Sequence, residues 1–178
     1  LAAWALAYPL AVFGGGLKLT AFLRAVAPAQ ALAVSTQSSL ATLPAMLKSS
    51  QQLGVSTDTA GVTLPIAVAI FRITSPAMNL GVAIYVAHWM GISLSPAAIA
   101  AGAVVAGTTT LGTISLPGQV SFLTSVTPIA VAMGVPLEPL ALLIAVEMIP
   151  DLVRTVGNVT ADVAATATLA RWQGEETE

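Results

Sequence analysis

Glu147-Met148-Ile149-Pro150-Asp151-Leu152-Val153-Arg154-Thr155-Val156-Gly157-Asn158-Val159-Thr160-Ala161-Asp162 is the run on which the fold turns. It lies in a long apolar segment near the C-terminus. Within it Glu147, Asp151, Arg154, Asn158 and Asp162 recur at spacings of 4, 3, 4 and 4. At ~100° per residue all five fall within about 80° of one another, a polar stripe ~22 Å long on one helix face. Facing lipid, each of the four ionisable residues would cost ~2.5–3.5 kcal/mol, on the order of 10 kcal/mol together. They must therefore face protein or water and pair. Arg154, three residues after Asp151, can partly neutralise it.

The rest of the chain gives this helix its solvent. Of 178 residues 56% are hydrophobic and 8% charged, where a soluble domain carries about 25% charged residues. Mean hydropathy is +0.89. This balance excludes an ordinary soluble enzyme, a disordered chain and a nucleic-acid binder, which needs a basic field. Lipid is the surrounding partner. No charge falls in the 65 residues from Ile73 to Leu137. The chain has no cysteine and one histidine, His88. That excludes disulfides, thiolate metal sites and a zinc site, and no nucleophile–base pair or organic-cofactor motif marks an enzyme. The apolar start at Leu1, without Met or basic residues, reads as part of a longer protein rather than a signal peptide.

The order of parts repeats. Residues 1–16 read as the end of a spanning helix. In 19–53 two short apolar helices flank a polar tip, Ser38–Pro44; each is shorter than the ~20 residues of a span, so they form a re-entrant hairpin. Residues 61–92 are long enough to span but are broken at Ile73-Thr74-Ser75-Pro76. A second hairpin, 95–134, has its tip at Thr108–Pro117, and the helix 136–170 carries the stripe. Both tips close on (Thr or Ser)-Leu-Pro, 73 residues apart. The expected fold is an all-α membrane protein of two inverted repeats, each a re-entrant hairpin plus a spanning or broken helix around a midplane site. Residues 17–170 form the transport core, and 171–178 a polar tail.

The stripe divides its labour by chemistry. Arg154 offers a fork of donors to a carboxylate. Asp151 suits an ammonium, Asn158 a second carboxylate or a cation, and Asp162 is a hard oxygen ligand. The set fits an acidic amino acid. A stripe that only locks helices together is the other reading of the same residues.

The run Asp151-Leu152-Val153-Arg154-Thr155-Val156-Gly157-Asn158-Val159-Thr160-Ala161-Asp162 resembles the last helix of the dicarboxylate/amino acid:cation symporter family, the glutamate transporter relatives. The family's motif there is Asp-x-x-Arg-Thr-x-x-Asn-Val-x-Gly-Asp. Gln37-Ser38-Ser39-Leu40-Ala41-Thr42-Leu43-Pro44 is similar to its serine-rich first hairpin, and Gly112-Thr113-Ile114-Ser115-Leu116-Pro117-Gly118 to its second. The resemblance implies the C-terminal transport portion of a homotrimeric, multi-pass protein of a prokaryotic inner membrane, with the second hairpin as gate. It implies that Arg154, Ser75 and backbone near Val120 hold the substrate's side-chain carboxylate. Asp151, Thr155 and carbonyls at Gln37 and Leu116 would hold the amino group, and Asn158 and the Ser39 amide the α-carboxylate. Coupling sodium or protons would involve Glu147, Asn158, Asp162 and backbone at Ala67, Ala69, Thr110, Leu111 and Thr113, with sodium at Asn158 and Asp162.

The chain departs from this pattern where the family's broken helix reads Asn-Met-Asp-Gly-Thr. Here stand Phe71-Arg72-Ile73-Thr74-Ser75, so oxygen ligands are lost and a cation is gained. Glu147 replaces an Asp, Gln37 an Arg of many members, and Leu40 a serine. One expectation is that Arg72 stands in for a sodium ion and holds the Thr110–Thr113 tip; the other is that it pairs with Asp151 or Glu147. Two functions follow: a symporter for an acidic amino acid or dicarboxylate with altered or lost sodium coupling, or a non-transporting relative or partner subunit that keeps the fold.

Overall fold

The computed structural model describes residues 1–112 and 119–175, and the side chains of all of these but 111, 112, 119 and 120. No strand occurs among the described residues. Two stretches, Leu19–Thr36 and Thr57–Trp89, are long and apolar enough to cross a membrane. The chain folds as two compact units, residues 1–73 with 152–178, and residues 74–151.

The first unit opens with α1 (Ala2–Ala5) and α2 (Ala7–Pro9), which run into a π-helical turn, Leu10–Gly14. Pro9 ends the regular ladder, and Gly15 N–H reaches back to the Leu10 carbonyl at 3.1 Å. The glycines after it serve close approach. A Cβ on Gly14 would stand 2.9 Å from the Thr168 side chain, and Gly16 has φ +69° with the Arg171 guanidinium against its open side.

α3 (Leu19–Thr36) and α4 (Ser39–Gln52) pack together and are joined by two residues. Gln37 takes the left-handed conformation, φ 50° and ψ 28°, and Ser38 is the N-cap of α4, its side chain accepting from the Ala41 N–H at 3.3 Å. The turn is narrower than the expected tip because Ser38 starts the helix at once. Ser39–Pro44 become its first turns, and Pro44 sits inside the helix, where it removes one hydrogen bond without ending it.

α5 (Thr57–Ile70) has Ser56 as N-cap. It ends at 71–73, before the expected break at 73–76. The chain turns where Phe71 N–H meets the Ala67 carbonyl at 2.7 Å. Pro76 belongs to the first turn of the next helix, where a missing N–H costs nothing. Glu175, expected in a solvated tail, also joins this unit. Its carboxylate accepts from Ser56 N–H at 2.9 Å, Ser56 Oγ at 2.8 Å and Thr59 Oγ1 at 2.6 Å. The Ser56 backbone bond, then the two hydroxyls, hold the Glu175 carboxyl below its ordinary range.

In the second unit α6 (Thr74–Trp89), α7 (Pro96–Gly112) and α8 (Gln119–Met133) pack against one another. Ala83, Val86, Ala87, Phe122, Val126, Ile129 and Met133 lie in its core. The threonines of the expected second tip are still helical. Thr108, Thr109 and Thr110 donate to carbonyls of their own helix, Thr110 to Ala106 at 2.7 Å, which satisfies each hydroxyl without solvent. The remainder of that tip, 113–118, lies outside the described residues.

The expected helix 136–170 is divided. α9 (Glu138–Leu143) passes through a 3-10 turn, Ile144–Val146, before α10 (Met148–Trp172). Pro150 is the reason: it has no N–H for the Val146 carbonyl, so the chain tightens ahead of it and restarts with Pro150 in the first turn.

Candidate functional site

α10 from Arg154 to Ala164 is buried on every side. Its sequence explains this. Alanines and threonines alternate with valines, so neighbours approach closely. Thr160, Thr166 and Thr168 satisfy their hydroxyls on carbonyls one turn back, at 2.7, 2.8 and 2.8 Å. Val159, Val163, Ala164, Ala167 and Ala170 join one core with Phe22, Val26, Met46 and Leu64. Outside, large apolar side chains are exposed, among them Phe13 at 82% and Ile149 at 69%. Charges inside and hydrocarbon outside invert a water-soluble surface and suit lipid.

All five residues of the stripe are buried: Glu147 and Asp151 4% exposed, Arg154 3%, Asn158 2% and Asp162 1%. Thr155, beside Arg154, is 5% exposed. An ionised side chain so far from water needs an opposite charge or a ligand.

The first unit supplies one. Arg72, 9% exposed, is the charged group that acts on Asp162. Neither Asp162 oxygen has a hydrogen-bond partner among the described residues. Arg72 therefore acts on the acid that was expected to hold a cation.

The first-hairpin tip is closed by its own hydroxyls. Thr42 Oγ1 donates to the Ser38 carbonyl at 2.8 Å, Thr36 Oγ1 donates to the same carbonyl at 3.3 Å, and the two hydroxyls lie 3.2 Å apart. This fixes the backbone at Gln37 and Ser39, whose side chain is 8% exposed. Of the backbone cation ligands, Ala67 is buried and its carbonyl accepts from Phe71, whereas Ala69 is exposed.

The second unit buries Ser75 at 3% and Thr110 at 5%. Thr113 and Leu116 lie outside the described residues, as do the side chains of Leu111 and Val120.

A polar knot in the first unit escaped the sequence reading. Thr160 Oγ1 accepts from the Trp4 indole at 3.2 Å and from Gln30 Nε2 at 2.9 Å, and Gln30 also reaches Tyr8 Oη at 3.2 Å. Gln30, a lone amide in an apolar helix, was the available signal. Thr160→Val keeps the shape and removes the acceptor. It is expected to destabilise the protein by about 1 kcal/mol, because two half-buried donors lose an acceptor, while Gln30 keeps Tyr8; thermal unfolding in detergent measures it.

The sequence pattern of the sodium:dicarboxylate symporter family matches residues 1–172. This chain belongs to that family. It is 26% identical over 176 residues to "C4-dicarboxylate transport protein 1" of Pseudomonas aeruginosa (strain UCBPP-PA14), which covers 96% of this chain and 39% of that protein. It is 28% identical over 159 residues to the "Proton/sodium-glutamate symport protein" of Bacillus subtilis (strain 168), covering 89% and 37%. The "Proton/sodium-glutamate symport protein" of Bacillus caldotenax is 26% identical over 173 residues, covering 94% and 41%. The chain thus spans about two fifths of the length of these curated relatives. They are transport proteins, and none is named as an enzyme. Family membership agrees with the all-helical build and the buried stripe.

Proposed function

We propose that the protein carrying this chain is a secondary active transporter that moves an acidic amino acid or dicarboxylate across a bacterial inner membrane by alternating access, with altered sodium coupling. The observation that carries this is the buried row of Arg154, Thr155, Asn158 and Asp162 on α10. Arg154 binds the side-chain carboxylate and Asn158, with the Ser39 amide, the α-carboxylate. Asp151 and Thr155, with carbonyls at Gln37 and Leu116, take the ammonium, so that an amino acid is preferred to a plain dicarboxylate. Ser75 and the backbone at Val120 complete the set. The hairpins 19–53 and 95–134 are re-entrant, the second is the gate, and residues 1–16 belong to a scaffold-side helix of a homotrimer.

Coupling is altered because a fixed guanidinium, Arg72, serves Asp162 where a mobile cation would otherwise be cargo. Sodium then has less to gain at Asn158, Asp162 and the carbonyls of Ala67, Ala69, Thr110, Leu111 and Thr113. Aspartate uptake by the full-length protein in proteoliposomes is the test. Uptake is expected to continue when potassium replaces sodium; strict sodium dependence overturns the altered coupling. The same fixed charge favours a second reading, a relative that binds cargo and does not move it. Ligand binding without uptake under any ion gradient is its signature.

A further inference from the structure

Thr160 lies on the face of α10 opposite the stripe, about 160° around the helix from its middle, and is 0% exposed. On that back face Val156, Val163 and Ala164, each one turn from Thr160, share one apolar core with Val26, Ala29 and Ala33 of α3. Alanine and valine let helices approach closely, yet they offer little shape to hold a register. In packed helices a single buried polar contact fixes the register instead.

Thr160 carries such a contact. Its hydroxyl donates to the Val156 carbonyl one turn back at 2.7 Å, which leaves two lone pairs. One accepts from the Trp4 indole at 3.2 Å and the other from Gln30 Nε2 at 2.9 Å. The second proton of Gln30 Nε2 goes to Tyr8 Oη at 3.2 Å. The Tyr8 ring is held edge-on to Phe22, with 5.8 Å between centroids. Donors thus reach Thr160 from two separate elements, α1 and α3. A rotation or slide of α10 that carried Oγ1 about 1 Å from either donor would stretch that bond to about 4 Å and break it. The long side chains of the stripe end farther from the helix axis than Thr160 Oγ1 does, so the same rotation would carry them farther.

We propose that Trp4, Gln30 and Thr160 are positioning residues of the substrate site, with Tyr8 behind Gln30. They clasp α10 from its back and fix its rotation and height, and with them the places of Arg154, Asn158 and Asp162. What the stripe binds rests on the transporter reading above; the clasp itself rests on the hydrogen bonds around Thr160. A binding constellation left about 1 Å too loose by its supporting residues loses most of its function.

Two measurements on variants of the full-length protein test this. The first is calorimetric titration with aspartate. Gln30→Leu and Thr160→Val are each expected to weaken binding about tenfold. The double variant should bind no worse than Thr160→Val alone, since both changes remove the same Gln30–Thr160 bond. Thr160→Ser keeps the hydroxyl and should stay within about twofold of wild type. Leu53→Ala hollows the same apolar core at the end of α4 and controls for lost stability; it should bind aspartate as wild type does. The second measurement needs no ligand. Spin labels are placed at Leu23→Cys in α3 and Leu169→Cys in α10, both exposed positions, in an otherwise cysteine-free background. They should report one narrow distance in wild type and in Leu53→Ala, and a broader one in Gln30→Leu and Thr160→Val. The clasp is overturned if the distance stays narrow in both variants, or if Leu53→Ala weakens aspartate binding as much as they do. It is also overturned if Thr160→Ser binds as poorly as Thr160→Val, and this pair decides the matter if Gln30→Leu does not fold. A wild type that binds no acidic amino acid or dicarboxylate, with the distances behaving as expected, counts against the transporter reading alone.

Discussion

Arg154→Ala is expected to weaken binding of acidic amino acids and dicarboxylates by roughly 10²–10³-fold, the effect of truncating one partner of a buried, hydrogen-bonded charge pair. Arg154 is 3% exposed at the start of the stretch of α10, Arg154 to Ala164, that is buried on every side, so water cannot replace the guanidinium. Arg154→Lys keeps the charge and loses the planar fork, and it should fall between wild type and Arg154→Ala. Calorimetric titration of the full-length protein with aspartate, glutamate and a C4 dicarboxylate measures the ordering. Wild-type affinity in Arg154→Ala would remove the arginine from the substrate site and leave the stripe as a structural lock.

Arg72→Met is expected to destabilise the protein by about 3–5 kcal/mol, the usual cost of removing one of two compensating buried charges. Asp162, 1% exposed, would lose the positive charge that offsets the cost of its burial. Two further results distinguish this from simple loss of packing. The double variant Arg72→Met/Asp162→Asn should recover most of the lost stability, since neither charge remains buried. Sodium should stabilise Arg72→Met more than potassium does, because a small hard cation can take the guanidinium's place at Asp162. Thermal unfolding in sodium, potassium and choline chloride reads both. If Arg72→Met is as stable as wild type, or if the double variant is no better than the single, Arg72 is not the countercharge of Asp162.

Much of this was legible before the fold. Polar residues at spacings of 4, 3, 4 and 4 on an apolar run define a helix face whatever surrounds it, and the motif from Asp151 to Asp162 identified the family. Helix ends were less legible. Pro44 and Pro76 were expected to close a tip and break a helix, and Pro150 to lie within one, yet none stopped a helix where it stands. Pro44 rides within α4, while Pro76 and Pro150 lie in first turns. A proline forbids one hydrogen bond, and only the neighbouring caps decide on which side the helix survives. Threonines at 108–110 suggested a loop because hydroxyls are polar; in an apolar setting they turn back onto their own helix.

The sequence by itself determined the solvent, the family and the stripe, since these depend on composition, spacing and motif along one chain. Only the tertiary structure assigned partners. It brought the Arg72 charge to bear on Asp162 and tied Trp4 and Gln30 to Thr160. It returned Glu175 to the start of α5, and among the described residues it gave Ser75 Oγ, Asn79 Oδ1 and Ser121 Oγ no hydrogen-bond partner. Charge and hydrogen-bond partners are decided by distances of a few ångströms between residues up to 158 positions apart, and periodicity along a helix carries no information about them.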